Sequence, residues 1–226
     1  GIAPIIGDVT APDSLGSLPS VDTLLYAVGY DRASGKSQRD VYVNGLQNVL
    51  AEIARRVSRF IYISSIGVYG QTDGSWIDET SPAEPTRAGG KACLEAESAL
   101  RSYFPPRVCP PFGNVLRVAG LYGPGRLLRR IESLKARGPL AVNPDAYLNL
   151  FHDRPVRRRE YFEKLAPLVG APTPAFEESA DSDAGRSGLN KRCSNRKMHD
   201  ELCLTLRYSD IDSGLAHAVE NSTAGG

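Results

Sequence analysis

The residues best placed to do chemistry in this 226-residue chain lie at three short junctions: Ala27-Val28-Gly29, Ser64-Ser65 and Val118-Ala119-Gly120. Each ends an apolar run, so each reads as the carboxyl end of a strand. A serine hydroxyl there can hold a carbonyl or hydroxyl oxygen, because it has a proton to donate and lone pairs to accept with. The same serine suits an ordinary strand-end turn bonded to backbone, and both readings stand. Gly120-Leu-Tyr-Gly-Pro-Gly125 is a glycine-rich loop, and behind it come Arg126, Arg129, Arg130, Lys135 and Arg137, which read first as a solvated helix face. Cys93, Cys109, Cys193 and Cys203 form no C-x-x-C pair and no histidines cluster beside them. That spacing gives no metal site, and the thiols read as reduced in a cytosolic protein.

The elements that must hold these junctions follow from periodicity. Residues 22–28 form a nearly continuous apolar run, expected as a buried parallel strand. From 39 to 56 apolar residues recur at Val43, Leu46, Leu50 and Ile53, which is helical spacing on one face. Residues 60–64 are a second buried strand, 91–103 a helix, 114–118 a third strand and 127–137 a basic helix. Strand and helix alternating at this rhythm predict crossover units and a parallel sheet, in which ligands sit beyond the carboxyl ends of the strands.

From Pro155 onward the texture changes. An amphipathic helix is expected over 156–169, a Pro/Ser/Asp-rich loop over 171–188, a short helix around Met198 and a closing helix over 214–220. The last residues, 221–226, read as disordered. The division expected is a larger α/β domain over 1–126 and a small subdomain over 127–226.

Bulk properties narrow the classes. Apolar residues make up 41% and charged residues 23%, which are globular proportions. The formal charge of +1 gives no overall pull toward nucleic acid or an anionic membrane. No apolar run approaches the roughly 20 residues of a membrane span, and no leader pattern is visible at the start. The chain opens on Gly1 rather than Met, as at a processing, cloning or fragment boundary. A cytoplasmic location is the expectation.

Several segments together resemble one family. Phe60-Ile-Tyr-Ile-Ser-Ser-Ile-Gly-Val-Tyr-Gly70 resembles the strand and turn of the NAD-dependent epimerase/dehydratase group, the extended short-chain dehydrogenases/reductases. Asn44-Gly-Leu-Gln-Asn48 resembles the helix before it, and Lys91-Ala-Cys-Leu-Glu95 the catalytic-lysine helix. Leu116-Arg-Val-Ala-Gly-Leu-Tyr-Gly-Pro-Gly125 resembles the strand and loop closing over nicotinamide and substrate, and Asn149-Leu-Phe-His152 the opening of the substrate subdomain. Asn190-Lys-Arg-Cys-Ser-Asn195 resembles an atypical bacterial branch.

The resemblance implies an α/β, Rossmann-like doubly wound parallel sheet with a small C-terminal substrate subdomain, and NAD or NADP as cofactor. It assigns catalytic roles to Ser65 and Lys91, with a solvated first-turn lysine as the other reading of Lys91. It assigns cofactor contacts to Asp8, Val9, Ala27, Val28, Gly29, Lys91 and Val118, the first two at the end of a third strand, although ordinary strand-end turns explain these positions too. It assigns substrate contacts to Tyr122, Arg126 and Asn149, and makes the basic stretch a candidate for a substrate diphosphate. A homodimer through helices 39–56 and 91–103 is implied in the same way.

The sequence also departs from the family. The Y-x-x-x-K spacing puts Arg87 in the tyrosine position, and a guanidinium stays protonated and cannot act as the base. Tyr69 and Tyr122 are nearby phenols whose family roles are structural. No G-x-x-G-x-x-G turn occurs in the 226 residues, and His152 is followed almost at once by Arg154, where the family has further elements. Gly120 stands where many sugar-nucleotide enzymes of the family carry Asn. Three readings follow: an NAD(P)-dependent oxidoreductase or epimerase/dehydratase-like protein, impaired as written, acting on a small carbonyl/hydroxyl or sugar-nucleotide-like substrate; a non-catalytic dinucleotide-binding sensor or interaction protein; or a product without function.

Overall fold

A computed structural model describes residues 1–106, 109–136, 138–148, 150, 153–177 and 190–222. The elements in chain order are β1 (Thr23–Tyr26), α1 (Gly45–Ile53), β2 (Arg59–Ser65), β3 (Trp76–Ile77), α2 (Ala88–Tyr103), β4 (Phe112–Val118), α3 (Leu128–Lys135), β5 (Tyr147–Leu148), β6 (Val156–Arg157), α4 (Arg158–Leu168), β7 (Arg192–Cys193), α5 (Arg196–Leu202) and α6 (Ile211–Glu220). They fall into two compact units, Gly1–Gly70 with Pro82–Val118, and Gln71–Ser81 with Ala119–Gly226.

The first unit is built on a parallel sheet in the order β1-β2-β4. Register pairs Tyr26 with Tyr62 and Tyr62 with Val115, and Ser65 with Val118 at the carboxyl end. Tyr26, Phe60 and Tyr62 alternate onto one face, where α1 lays down Leu46, Val49, Leu50 and Ile53 and α2 lays down Ala92, Ala96 and Leu100. The i, i+3, i+4, i+7 spacing of the α1 set is why 39–56 reads as a helix, and the chain there winds through a π turn, α1 and a 3-10 turn.

Two expectations are corrected here. The run 22–28 is expected as a buried parallel strand, but β1 is shorter and the outer face of the sheet is open, with Leu25 on β1 59% and Leu116 on β4 40% exposed. The described helices of this unit pack on the other face only. Gly7–Thr10, expected as a strand end, is a turn instead: Asp8 accepts from the backbone and hydroxyl of Thr10, both at 2.8 Å. Polar turn chemistry wins where no neighbouring strand offers a ladder.

In the second unit β5 and β6 pair antiparallel and β3 and β7 parallel. Its core gathers Leu127, Leu134, Leu150, Val156, Tyr161, Leu165, Ile211 and Leu215. The helix expected over 156–169 starts later, because Val156 and Arg157 are held as β6 against β5. Asn221 and Ser222, expected as disordered, close onto α6, with Ser222 Oγ 2.5 Å from Ala218 O. Residues 223–226 lie outside the described set.

The closing helix begins at Ile211 rather than 214 because Asp210 caps it, accepting from Ser213 N at 2.8 Å. These bonds to Ser213 hold the Asp210 carboxyl below its ordinary 3.8. A depressed carboxyl contributes stability above its unfolded pKa and loses it as pH falls through the folded value. Asp210→Ala is therefore expected to lower the melting temperature at neutral pH, and the gap to the parent should close as pH drops below about 4, where the unfolded carboxyl protonates. A gap independent of pH would show that the charge is not what stabilises the cap.

Candidate functional site

The strand ends of the first unit carry the residues that the sequence singles out as a candidate site. Ser65 leaves β2 in an extended conformation, and its Oγ accepts from Gly67 N at 3.0 Å, capping the turn Ile66–Val68. The backbone-bonded reading of Ser65 is thus what the geometry holds. It leaves the hydroxyl proton free to donate, since one lone pair suffices for Gly67. Val118 is the register partner of Ser65 on β4. Ala27, Val28 and Gly29 follow β1 and are exposed, with open space around Gly29.

Gly90 explains how α2 meets this turn. A Cβ there would stand 2.2 Å from Gly67 O and 2.9 Å from Pro85 Cβ, so the first turn of α2 packs backbone to backbone against the Ser65 turn. That contact is why a glycine stands at position 90 in the first turn of α2. Lys91 therefore neighbours the Ser65 turn through its backbone. Its side chain lies on the exposed side of α2, away from the buried Gly90, Cys93, Ala96, Glu97 and Leu100. Among the described residues it makes no hydrogen bond or ion pair. Arg87 is the exposed N-cap of α2 and makes no side-chain cap bond. A cation there opposes the helix dipole.

Asp8 and Val9 are brought to the same sheet by α1. Asn48 Nδ2 donates to Val9 O at 2.9 Å, and a Cβ on Gly45 would meet Val9 Cγ2 at 2.8 Å and the Tyr26 hydroxyl at 3.2 Å. Asp8 itself is exposed, and its backbone and side-chain bonds from Thr10 hold its carboxyl below the usual range.

A buried ion pair, not visible in the motif pattern, ties these segments together. Glu97 on α2 is completely buried, and its carboxylate accepts from Ser64 Oγ at 2.7 Å and from Arg117 Nε and Nη2 at 2.9 and 2.6 Å. Arg117 Nη1 donates to the Tyr69 hydroxyl at 2.8 Å.

In the second unit Tyr122 is half-buried against α6, its hydroxyl occupying the space beside Gly214, where a Cβ would lie 1.8 Å away. Burial pushes that phenol up to about 12. Arg126, Arg129 and Lys135 are exposed, as on a solvated helix face, while Arg130 lies over the Tyr161 ring at 4.7 Å. Asn149, Arg137 and His152 lie outside the described residues.

The cysteines are free. Burial pushes the Cys93 thiol up, and Cys193 up to about 11, so neither is an activated thiolate. No group of three or more His, Cys, Asp or Glu that could hold a metal ion occurs among the described residues. No helix among them is long and apolar enough to cross a membrane.

The comparisons agree with this architecture. No protein-family model matches the chain. Protein YeeZ of Escherichia coli K12 is 28% identical over 224 residues, a match covering 88% of this chain and 76% of that protein. A protein of Methylobacillus flagellatus, provisionally assigned as an NAD-dependent epimerase/dehydratase, is 26% identical with a TM-score of 0.64, covering 97% of this chain and 84% of that one. The dTDP-glucose 4,6-dehydratase DesIV of Streptomyces venezuelae, a double mutant with NAD bound, superposes with a TM-score of 0.79 at 20% identity, covering 97% and 79%. Solved neighbours of this fold carry NAD or NADPH. The chain has the Rossmann-type α/β fold of the NAD-dependent epimerase/dehydratase proteins.

A nicotinamide dinucleotide fits these residues in part. The exposed Ala27-Val28-Gly29 strip and the adjacent Ser65 and Val118 make an open wall at the strand ends. A cradle of backbone N–H groups for the pyrophosphate would need the glycine-rich turn, which is absent from the 226 residues.

Proposed function

We propose that this chain is a dinucleotide-binding protein of the epimerase/dehydratase type whose site lies at the carboxyl ends of β1, β2 and β4. The observation carrying this reading is the pairing of Ser65 with Val118 at adjacent parallel strand ends, beside the exposed strip that ends at Gly29. Ligands of such sheets sit there. In this reading Asp8, Val9, Ala27, Val28, Gly29 and Val118 line the cofactor wall. Ser65 offers its hydroxyl proton to a carbonyl or hydroxyl oxygen while its lone pair stays on Gly67 N–H. Lys91 holds ribose hydroxyls after its exposed side chain swings toward the turn. By the resemblance, Tyr122, Arg126 and Asn149 are the substrate contacts for a small carbonyl/hydroxyl or sugar-nucleotide-like compound.

Arg87 favours a second reading, a non-catalytic dinucleotide sensor. It is exposed, occupies the position of the family's tyrosine and cannot give up its proton. The two readings separate by assay. The enzyme reading expects nicotinamide absorbance to change with at least one member of a panel of aldehydes, ketones and sugar nucleotides, and Ser65→Ala to slow that change by about a hundredfold, the scale of positioned acid–base groups. Dinucleotide binding with no turnover across the panel would leave only the sensor.

A further inference from the structure

Glu97 carries a charge into the core without an evident stability reason. Its side chain is fully buried and that of Arg117 is 15% exposed. A buried ion pair is often no more stabilising than apolar residues of similar volume, because desolvating both charges cancels most of their attraction. What the pair adds is geometry. One carboxylate receives Ser64 Oγ and two arms of Arg117, with Arg101 Nη2 at 3.3 Å, and the third arm of Arg117 fixes the Tyr69 hydroxyl. Each clamped residue flanks a candidate site residue. Ser64 precedes Ser65, Tyr69 closes the turn that Ser65 opens, and Arg117 precedes Val118.

Register makes this sharper. Ser64 pairs with Arg117 and Ser65 with Val118. Side chains alternate along a strand, so the clamp holds one pair on the helix-covered face and leaves the next pair on the other face. The bidentate contact holds β4 against α2, since a planar guanidinium accepts only a narrow range of carboxylate positions, and Ser64 Oγ ties β2 to the same carboxylate.

We infer that Glu97 and Arg117 are positioning residues: the buried carboxylate–guanidinium pair sets the Ser65 turn and the end of β4 at the heights a ligand at these strand ends requires. This inference rests on the dinucleotide-site reading above. Tyr69 belongs to the same device, and Ser64 supplies the hydroxyl through which β2 is held.

The test compares the full chain with the double variant Glu97→Leu/Arg117→Met, measuring thermal unfolding, amide hydrogen exchange over 64–70 and NAD+ and NADPH affinity by calorimetry. The apolar pair is expected to melt close to the parent. Its amides over 65–69 should exchange about tenfold faster as the turn loosens, and its dinucleotide affinity should fall about tenfold or more through misplacement of the site. Should the double variant not fold, Arg117→Lys decides, because lysine keeps the charge but cannot reach both carboxylate oxygens and Tyr69 together; the same two changes are expected. Parental exchange and parental affinity in a folded variant overturn the inference. If the parent binds neither dinucleotide, the site reading fails, and the exchange over 65–69 still decides whether the pair positions the turn.

Discussion

Gly90→Ala should lower the stability of the first unit by about 3 kcal/mol or more, at the upper end of what overpacking costs. The added Cβ would lie 2.2 Å from Gly67 O and 2.9 Å from Gly67 C, both backbone atoms, with Pro85 Cβ also at 2.9 Å. A flexible side chain could swing away from such a contact, but these atoms cannot. Gly67 is held in its turn by Ser65 Oγ. Moving α2 instead would disturb Ala92, Ala96 and Leu100 in the core. Chemical denaturation of Gly90→Ala should show the loss as a lower midpoint with an unchanged slope. A change within about 0.5 kcal/mol, ordinary for surface substitutions, would mean that α2 does not press on the Ser65 turn and that the site geometry described above is wrong.

The second large effect is expected at Glu97. Glu97→Ala strands the mostly buried guanidinium of Arg117 and removes the acceptor of Ser64 Oγ. Breaking a buried pair from one side costs about 3–5 kcal/mol. Glu95, two residues away on the same helix, is the control. It pairs with Arg39 on the surface, with side chains 45% and 59% exposed, where salt screening leaves an ion pair little net effect. Urea unfolding should therefore separate the two alanine variants widely. Equal losses at both positions would contradict the buried network.

Much of the sheet was legible in the sequence, because β2 and β4 read as apolar runs with punctuated ends. The half-open β1 was not: a run such as Leu24-Leu25-Tyr26 reads the same whether one face or both are covered, and Leu25 is exposed all the same. The start of α2 was hidden because glycines read as helix breakers, whereas Gly90 is there for close approach. Ser65 could be found from its strand-end position. The spacing that selected Lys91 is one-dimensional and could not say that its side chain lies on the exposed side of α2. Glu97 and Arg117 escaped notice because charged residues read as surface, and their pairing across 20 positions of sequence leaves no local pattern. Gly214 was invisible for the same reason, as its partner Tyr122 is remote in the chain.

The central claim, a dinucleotide site at the carboxyl ends of β1, β2 and β4, is tested most directly by titrating the purified 226-residue chain with NAD+ and NADPH in a calorimeter and following the melting temperature. The account predicts saturable binding of at least one dinucleotide and a rise in melting temperature that grows with its concentration, as linkage requires of a ligand that binds only the folded state. A folded chain that takes up neither dinucleotide, with a melting temperature unmoved, would contradict it.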